Sequence, residues 1–124
     1  MIVLVTGGRA YRDAATVART LSALPITRLV HGGATGADRL AAEWARANGI
    51  ADTPCPARWR DRDGTFDRAA GFKRNAEMLA QERPALVVAF PGGNGTADMV
   101  ARARRAGVAV LEVQPPGAWD DVLG

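Results

Sequence analysis

The chain has few of the residues that build disulfide frameworks, metal clusters or membrane spans. Its 124 residues include one cysteine, Cys55, one histidine, His31, and only 6% aromatic residues. A single cysteine excludes an internal disulfide framework, and one cysteine with one histidine excludes a Cys/His metal cluster. No run of residues is long and apolar enough to cross a bilayer. We therefore predict no metal, no cofactor and no membrane partner.

Negative charge is slightly scarce, because 13 Asp and Glu residues face 16 Lys and Arg residues. Lys73 is the only lysine, and the arginines are scattered over predicted helix faces. Scattered charge is typical of a solvated surface, so a small molecule is a better expected partner than nucleic acid. The strand-like segment 2–5 follows Met1 directly, which leaves no room for a signal peptide. We predict a cytoplasmic protein.

Short apolar runs alternate with amphipathic segments along the chain. The alternation predicts strands at 2–6, 28–31, 50–56, 85–90 and 108–113 and helices at 14–24, 37–47, 71–81 and 97–106. Such a pattern is typical of a parallel sheet with right-handed crossovers. We predict one α/β domain over 1–124, a three-layer Rossmann-like fold with about five strands in the order 3-2-1-4-5. Residues 57–71 are a predicted polar loop, and Trp119 and Leu123 are predicted to pack back on the domain.

Three predicted strands run directly into glycine-rich turns that precede helices. The turns contain Gly7 and Gly8, then Gly32, Gly33 and Gly36, and finally Pro91, Gly92, Gly93, Gly95 and Thr96. Glycine lets backbone approach a ligand, and the free N–H groups and dipole of the following helix attract an anion. All three turns would lie at the carboxyl edge of the sheet, where such folds bind ligands. The alternative for the last turn is a tight turn with Thr96 as a helix cap.

Several side chains near these turns have two interpretations each. Arg9 could clamp a phosphate or be a surface arginine. Tyr11 and Trp59 could stack on a base or pack against the fold. Asp38 could accept ribose hydroxyls or bond to loop N–H groups, and the second role is slightly favoured. His31 is predicted to be a hydrogen-bonded structural group.

The helix predicted at 71–81 carries two further site residues. Arg74 and Asn75 fall in its first turns, where packing does not require them. Arg74 could reach a phosphate or a leaving group.

Taken together, the motifs resemble the YspA-like, cpYpsA-related family of the SLOG superfamily. They are Gly7-Gly8-Arg9, Val30-His31-Gly32-Gly33-Ala34 with Gly36-Ala37-Asp38, Arg74-Asn75, and Phe90-Pro91-Gly92-Gly93-Asn94-Gly95-Thr96. The resemblance covers nearly the whole chain. It implies a Rossmann-type fold that holds a nucleotide or phosphate at the glycine turns. The superfamily includes LOG phosphoribohydrolases, DprA single-stranded DNA binders and sensors of nucleotide-derived signals.

The resemblance also implies roles for two catalytic positions. LOG enzymes use an arginine on the helix before the motif strand, where this chain has Arg74, and a glutamate at the position of Met99. Asp98 lies one residue earlier, a helical step of about 100° away. If a reaction occurs, Arg74 and Asp98 are its expected catalytic residues.

Three functions follow from these residues. The first is binding of a nucleotide or nucleotide-derived molecule such as an ADP-ribose species, with Asn75, Trp59 and Tyr11 selecting the nucleoside. The first alternative is LOG-like N-glycosidic hydrolysis of a nucleoside monophosphate. The second is DprA-like binding of single-stranded DNA, which the low aromatic content disfavours. LOG-like relatives commonly dimerise, so the resemblance implies a possible homodimer.

Overall fold

The computed structural model describes residues 1–115 of the 124. Nine elements alternate along them: β1 (Ile2–Thr6), α1 (Ala14–Ser22), β2 (Arg28–His31), α2 (Ala37–Ala47), β3 (Ala51–Pro54), α3 (Ala70–Glu82), β4 (Leu86–Ala89), α4 (Asn94–Arg105) and β5 (Ala109–Glu112). The predicted packing of Trp119 and Leu123 lies outside the described residues. Within residues 1–115, no helix is long and apolar enough to span a membrane.

The five strands form one parallel sheet in the order β3-β2-β1-β4-β5. The predicted strand order and Rossmann-like α/β class are confirmed. In the central strand, Val3 is in register with Leu29 on one side and with Leu86 on the other. The order reverses at β1, so the ends of β1 and β4 open into a crevice at the switch point.

Alternating side chains of the sheet build a core on each of its faces. Val3 and Val5 pack in one cluster with residues of α1 and α2, including Val17 and Leu21. Leu4 points to the opposite face. There it packs with residues of β2, β4, α3 and α4, namely Val30, Met78, Val87, Met99 and Ala103. The three-layer arrangement follows from this alternation.

Two predicted boundaries are wrong near the glycine turns. Helix α4 begins at Asn94 and not at Ala97, so Gly95 and Thr96 belong to its first turn. The N-cap is Gly93, and no side chain caps the helix, so the alternative role of Thr96 as a cap is also wrong. Strand β3 is shorter than predicted and ends at Pro54. The polar segment that follows carries one antiparallel bridge, between Arg60 and Phe66.

Candidate functional site

A cleft of about 410 Å³ opens at the carboxyl ends of β1 and β4. Pockets of this size hold small molecules. One wall is the β1–α1 turn with Gly7, Gly8 and Arg9, and another is the start of α4, residues 93–96. The opposite wall comes from the 57–69 loop and α3, and contains Trp59, Arg68, Gly71, Phe72, Arg74 and Asn75. All three glycine turns thus contribute to one cleft, the third of them through Ala34.

The glycines let the turns approach each other more closely than side chains would allow. The Gly8 N–H donates to the Pro91 carbonyl at 2.9 Å. A Cβ atom on Gly92 would lie 2.7 Å from the Gly8 nitrogen, and one on Gly7 would lie 2.5 Å from the Ala37 Cβ. Such separations are below van der Waals contact. The small size of these glycines therefore permits the close contact of the turns; Gly7 and Gly8 line the cleft, whereas Pro91 and Gly92 lie outside its lining.

Helix α4 presents its amino end to the cleft. Because Gly93 has no side chain and no other side chain caps the helix, the first N–H groups stay available. These N–H groups and the helix dipole favour an anion at Asn94, Gly95 and Thr96. The Thr96 hydroxyl lies beside the Gly92 Cα. The electrostatic potential of the helix end is therefore favourable for negative charge in the cleft.

The third glycine turn is held by polar side chains, of which Asp38 makes two of the bonds. The Asp38 Oδ2 atom accepts hydrogen bonds from the N–H groups of Gly32 at 3.0 Å and Ala34 at 3.3 Å. Burial raises the Asp38 pKa, against the opposing effect of these bonds. Asp38 lines the cleft, yet one of its oxygens is engaged in loop support. Gly33 and Gly36 are not among the lining residues, so this turn contributes to the cleft through Ala34 and Asp38.

His31 occupies the structural role predicted for it. Its Nδ1 atom accepts from the Gly33 N–H at 3.0 Å, so the proton of the neutral ring lies on Nε2. That atom contacts the Asp52 carboxylate at 3.0 Å. The hydrogen bond from His31 lowers the pKa of Asp52. Both ring nitrogens are therefore occupied, and His31 does not line the cleft.

Arg74 is held by its Nη1 and Nε atoms, which leaves its Nη2 atom free. Its Nη1 atom donates to the carbonyls of Gly32 at 2.8 Å and Cys55 at 3.3 Å, and its Nε atom donates to the Asn75 side chain at 3.1 Å. The Nη2 atom makes no hydrogen bond with the described residues. Burial lowers the Arg74 pKa, but a guanidinium remains charged in proteins. The free Nη2 atom gives the cleft a rigid N–H donor that suits an anion.

The two predicted catalytic residues both bond to the side chain of Asn75, but only one of them lines the cleft. Arg74 lines the cleft, whereas Asp98 is not among the lining residues. The Asp98 Oδ2 atom accepts from Asn75 Nδ2 at 3.0 Å and from Arg102 Nε at 2.8 Å. Asn75 also donates to the Gly95 carbonyl at 3.1 Å, so it ties α3 to the first turn of α4. Met99 is fully buried in the core.

The two predicted stacking residues lie in different places. Trp59 lines the cleft and stacks on Phe66 with 5.9 Å between ring centroids. The guanidinium carbon of Arg9 lies 5.3 Å from the centroid of the Trp59 ring. That distance is within the range of a cation–π interaction. Tyr11 instead packs 5.5 Å from Phe90 against the core and outside the cleft.

Sequence reasoning missed Arg68 and Phe72, which both line the cleft. Both fall in or beside the predicted polar loop, where no periodicity indicated a direction for either side chain. With Arg68 included, three arginines line the cleft, and Arg9 and Arg68 have no carboxylate partner among residues 1–115. Asp38 is the single carboxylate in the lining. The cleft is therefore positively charged.

The chain resembles known proteins in sequence and in fold. A profile of the YspA, cpYpsA-related SLOG family matches residues 1–61. The Gene 61 protein of Mycobacterium phage D29 is 36% identical over 121 residues, which covers 88% of this chain and 93% of the phage protein.

Two solved structures have the same fold at low sequence identity. The structure of TM1055 has a TM-score of 0.71 at 19% identity and covers 98% of this chain and 79% of its own. The Moco carrier protein from Chlamydomonas reinhardtii has a TM-score of 0.64 at 21% identity, with coverages of 92% and 77%. At these identities the likeness concerns the fold alone.

Proposed function

Because the chain belongs to the YspA, cpYpsA-related SLOG family, we propose that it binds a nucleotide or a nucleotide-derived molecule in the cleft between β1 and β4. Members of the superfamily bind ligands at the corresponding turns. The phosphate would lie at the amino end of α4, near the free Nη2 atom of Arg74. The nucleoside would lie toward Trp59, an aromatic surface large enough to stack on a base.

The observation that carries this proposal is the charge of the cleft. Arg9, Arg68 and Arg74 line the same cleft as the amino end of α4, and Asp38 is the single carboxylate in that lining. An arrangement of this kind is favourable for a phosphate and unfavourable for a cation. Arg74 is also held in place before a ligand arrives, which reduces the entropy lost on binding.

Titration calorimetry of the purified chain with AMP, ADP and ADP-ribose tests the proposal. Arg68→Ala should weaken AMP binding about tenfold, because one charge-assisted hydrogen bond is lost. Arg105→Ala is the matched control, since Arg105 is an exposed arginine in the last turn of α4 and lines neither wall of the cleft. Equal effects of the two substitutions, or no binding of any of these ligands, would contradict the proposal.

The hydrolase alternative makes a different demand on the structure. It needs a carboxylate that faces the sugar, whereas Asp98 does not line the cleft and its Oδ2 atom is bonded to Asn75 and Arg102. Chromatography of the titration mixtures for released adenine addresses this alternative directly. If base is released and Asp98→Asn abolishes the release while AMP still binds, Asp98 has the catalytic role; retained release removes that role. Salt-dependent binding of single-stranded DNA in preference to all small ligands would favour the DprA-like alternative.

A further inference from the structure

A second cleft, of about 490 Å³, lies between the 57–69 loop and the amino-terminal half of α3. Arg74 lines this cleft as well as the first one. We propose that the second cleft holds a second phosphate-bearing unit of the same ligand, so that the ligand is of the dinucleotide class. The inference rests on the proposed function, because the first unit must occupy the first cleft.

Positive charge dominates the lining of the second cleft. Arg58, Arg60, Arg62 and Lys73 line it together with Arg74. Arg60 is engaged in the loop, where its Nη1 atom donates to the Gly64 carbonyl at 2.9 Å. Arg58 and Arg62 make no hydrogen bond or ion pair with the described residues. These two guanidinium groups are therefore available to an anion, in addition to the free Nη2 atom of Arg74.

The acidic residues of this cleft do not neutralise those guanidinium groups. Asp61 Oδ1 accepts from the N–H groups of residues 63 and 65 at 2.9 Å each, and so shapes the loop. Asp67 pairs with Lys73 at 2.7 Å. The hydrogen bond to Lys73 lowers the pKa of Asp67, so this carboxylate is already matched by its own cation. Glu77 is the third carboxylate, so five cationic side chains outnumber three carboxylates in the lining of the second cleft.

The sizes of the clefts favour a two-unit ligand over a single nucleotide. Each cleft has the volume of a pocket that holds one small molecule. The guanidinium of Arg74 lies between them and is fixed by the carbonyls of Gly32 and Cys55. A phosphate that links two nucleoside units could bond to its free Nη2 atom. A mononucleotide would leave the basic lining of the second cleft unused.

Calorimetry with AMP, ADP and the linear dinucleotide pApA tests this inference. ADP adds a phosphate without the reach into the second cleft, so it controls for charge alone. We expect pApA to bind about tenfold more tightly than ADP, since one or more charge-assisted hydrogen bonds are added. Arg62→Gln and Arg58→Gln should each reduce pApA affinity several-fold and leave AMP affinity unchanged, whereas Arg105→Gln should change neither.

The outcomes separate this inference from the proposed function. If pApA binds no more tightly than ADP, or if Arg58→Gln and Arg62→Gln leave its affinity unchanged, the second-cleft inference is overturned while AMP binding still supports the first cleft. If neither AMP nor pApA binds, both fail. If a twelve-nucleotide oligomer binds far more tightly than pApA, the ligand is nucleic acid and the dinucleotide class is overturned.

Discussion

Gly36 lies where the β2–α2 turn contacts the β1–α1 turn, and its lack of a side chain permits this contact. Its substitution should therefore damage both the fold and the cleft. It has φ of +76° and ψ of −127°, a conformation that residues with a Cβ atom rarely adopt. A Cβ atom at this position would overlap the Gly8 carbonyl oxygen and lie 2.5 Å from that of Arg9. Both contacts are with backbone, which cannot rotate away as a flexible side chain can. Gly36→Ala must therefore separate the β2–α2 and β1–α1 turns.

The expected loss of stability has two parts. The backbone conformation alone should lower the free energy of unfolding by about 1–3 kcal/mol. Separation of the turns breaks the hydrogen bonds from the Ala37 N–H to the Gly8 carbonyl, at 3.1 Å, and from the Thr35 hydroxyl to the Arg9 carbonyl, at 3.2 Å. Each such bond contributes about 1 kcal/mol. The total for Gly36→Ala is therefore on the order of 3–5 kcal/mol.

Gly49→Ala is the matched control, because Gly49 has a similar φ of +68° but a Cβ atom there would meet no other atom within 4 Å. It should lose only about 1–2 kcal/mol. Urea denaturation of both variants, followed by circular dichroism, gives the difference. Thermal melts should separate them by on the order of 10 °C, since 1 kcal/mol shifts the melting temperature of a domain this size by roughly 4 °C. Equal destabilisation would refute the assigned contact between the turns.

Two further predictions concern buried positions near the cleft. Asp38→Asn imitates the protonated carboxyl. Because the pKa of Asp38 is raised in the folded protein, folding favours the protonated form of its carboxyl. The free energy of unfolding of the wild type, relative to that of the variant, should therefore fall as pH rises from about 4 through the folded pKa. Urea midpoints between pH 4 and pH 8 measure this, and parallel profiles would contradict it. Met99→Glu should lower the free energy of unfolding by at least about 3 kcal/mol, because it buries a carboxyl in an apolar core. Met99→Leu should lose less than about 1.5 kcal/mol, and a Met99→Glu variant as stable as Met99→Leu would disprove the placement.

The sequence predicted the sheet well because strong local patterns constrained it. Apolar runs such as 2–6 and 85–90 are too short for helices, and the amphipathic segments between them require crossovers that place successive strands in parallel. Five strands in the observed order then follow from a switch point at β1. The turns after β1 and β4 had to be neighbours in this order, and the hydrogen bond from Gly8 to Pro91 shows that they are.

Predictions within the site were less accurate because they depended on tertiary contacts. Glycine disfavours helix interiors, so the composition of residues 92–96 predicted a turn as far as Thr96. Packing of α4 on the sheet overrides this preference and starts the helix at Asn94. Arg68 lies in a segment without periodicity; its position depends on neighbouring bonds such as that from the Ala69 N–H to Asp67. Such bonds leave no periodic signal in the sequence.

The orientation of α4 explains why the carboxylate expected of a LOG-like enzyme does not line this cleft. Met99 faces the sheet, where it packs with Leu4 and Val87, and a helical step of about 100° turns Asp98 away from that direction toward α3. There Asn75 and Arg102 bond to one of its two oxygens, Oδ2, and Asn75 also donates to the carbonyl of Gly95. Asp98 thus helps to hold the first turn of α4 against α3, through Asn75. A carboxylate in that place holds the amino end of α4, which lines the cleft, without lining the cleft itself.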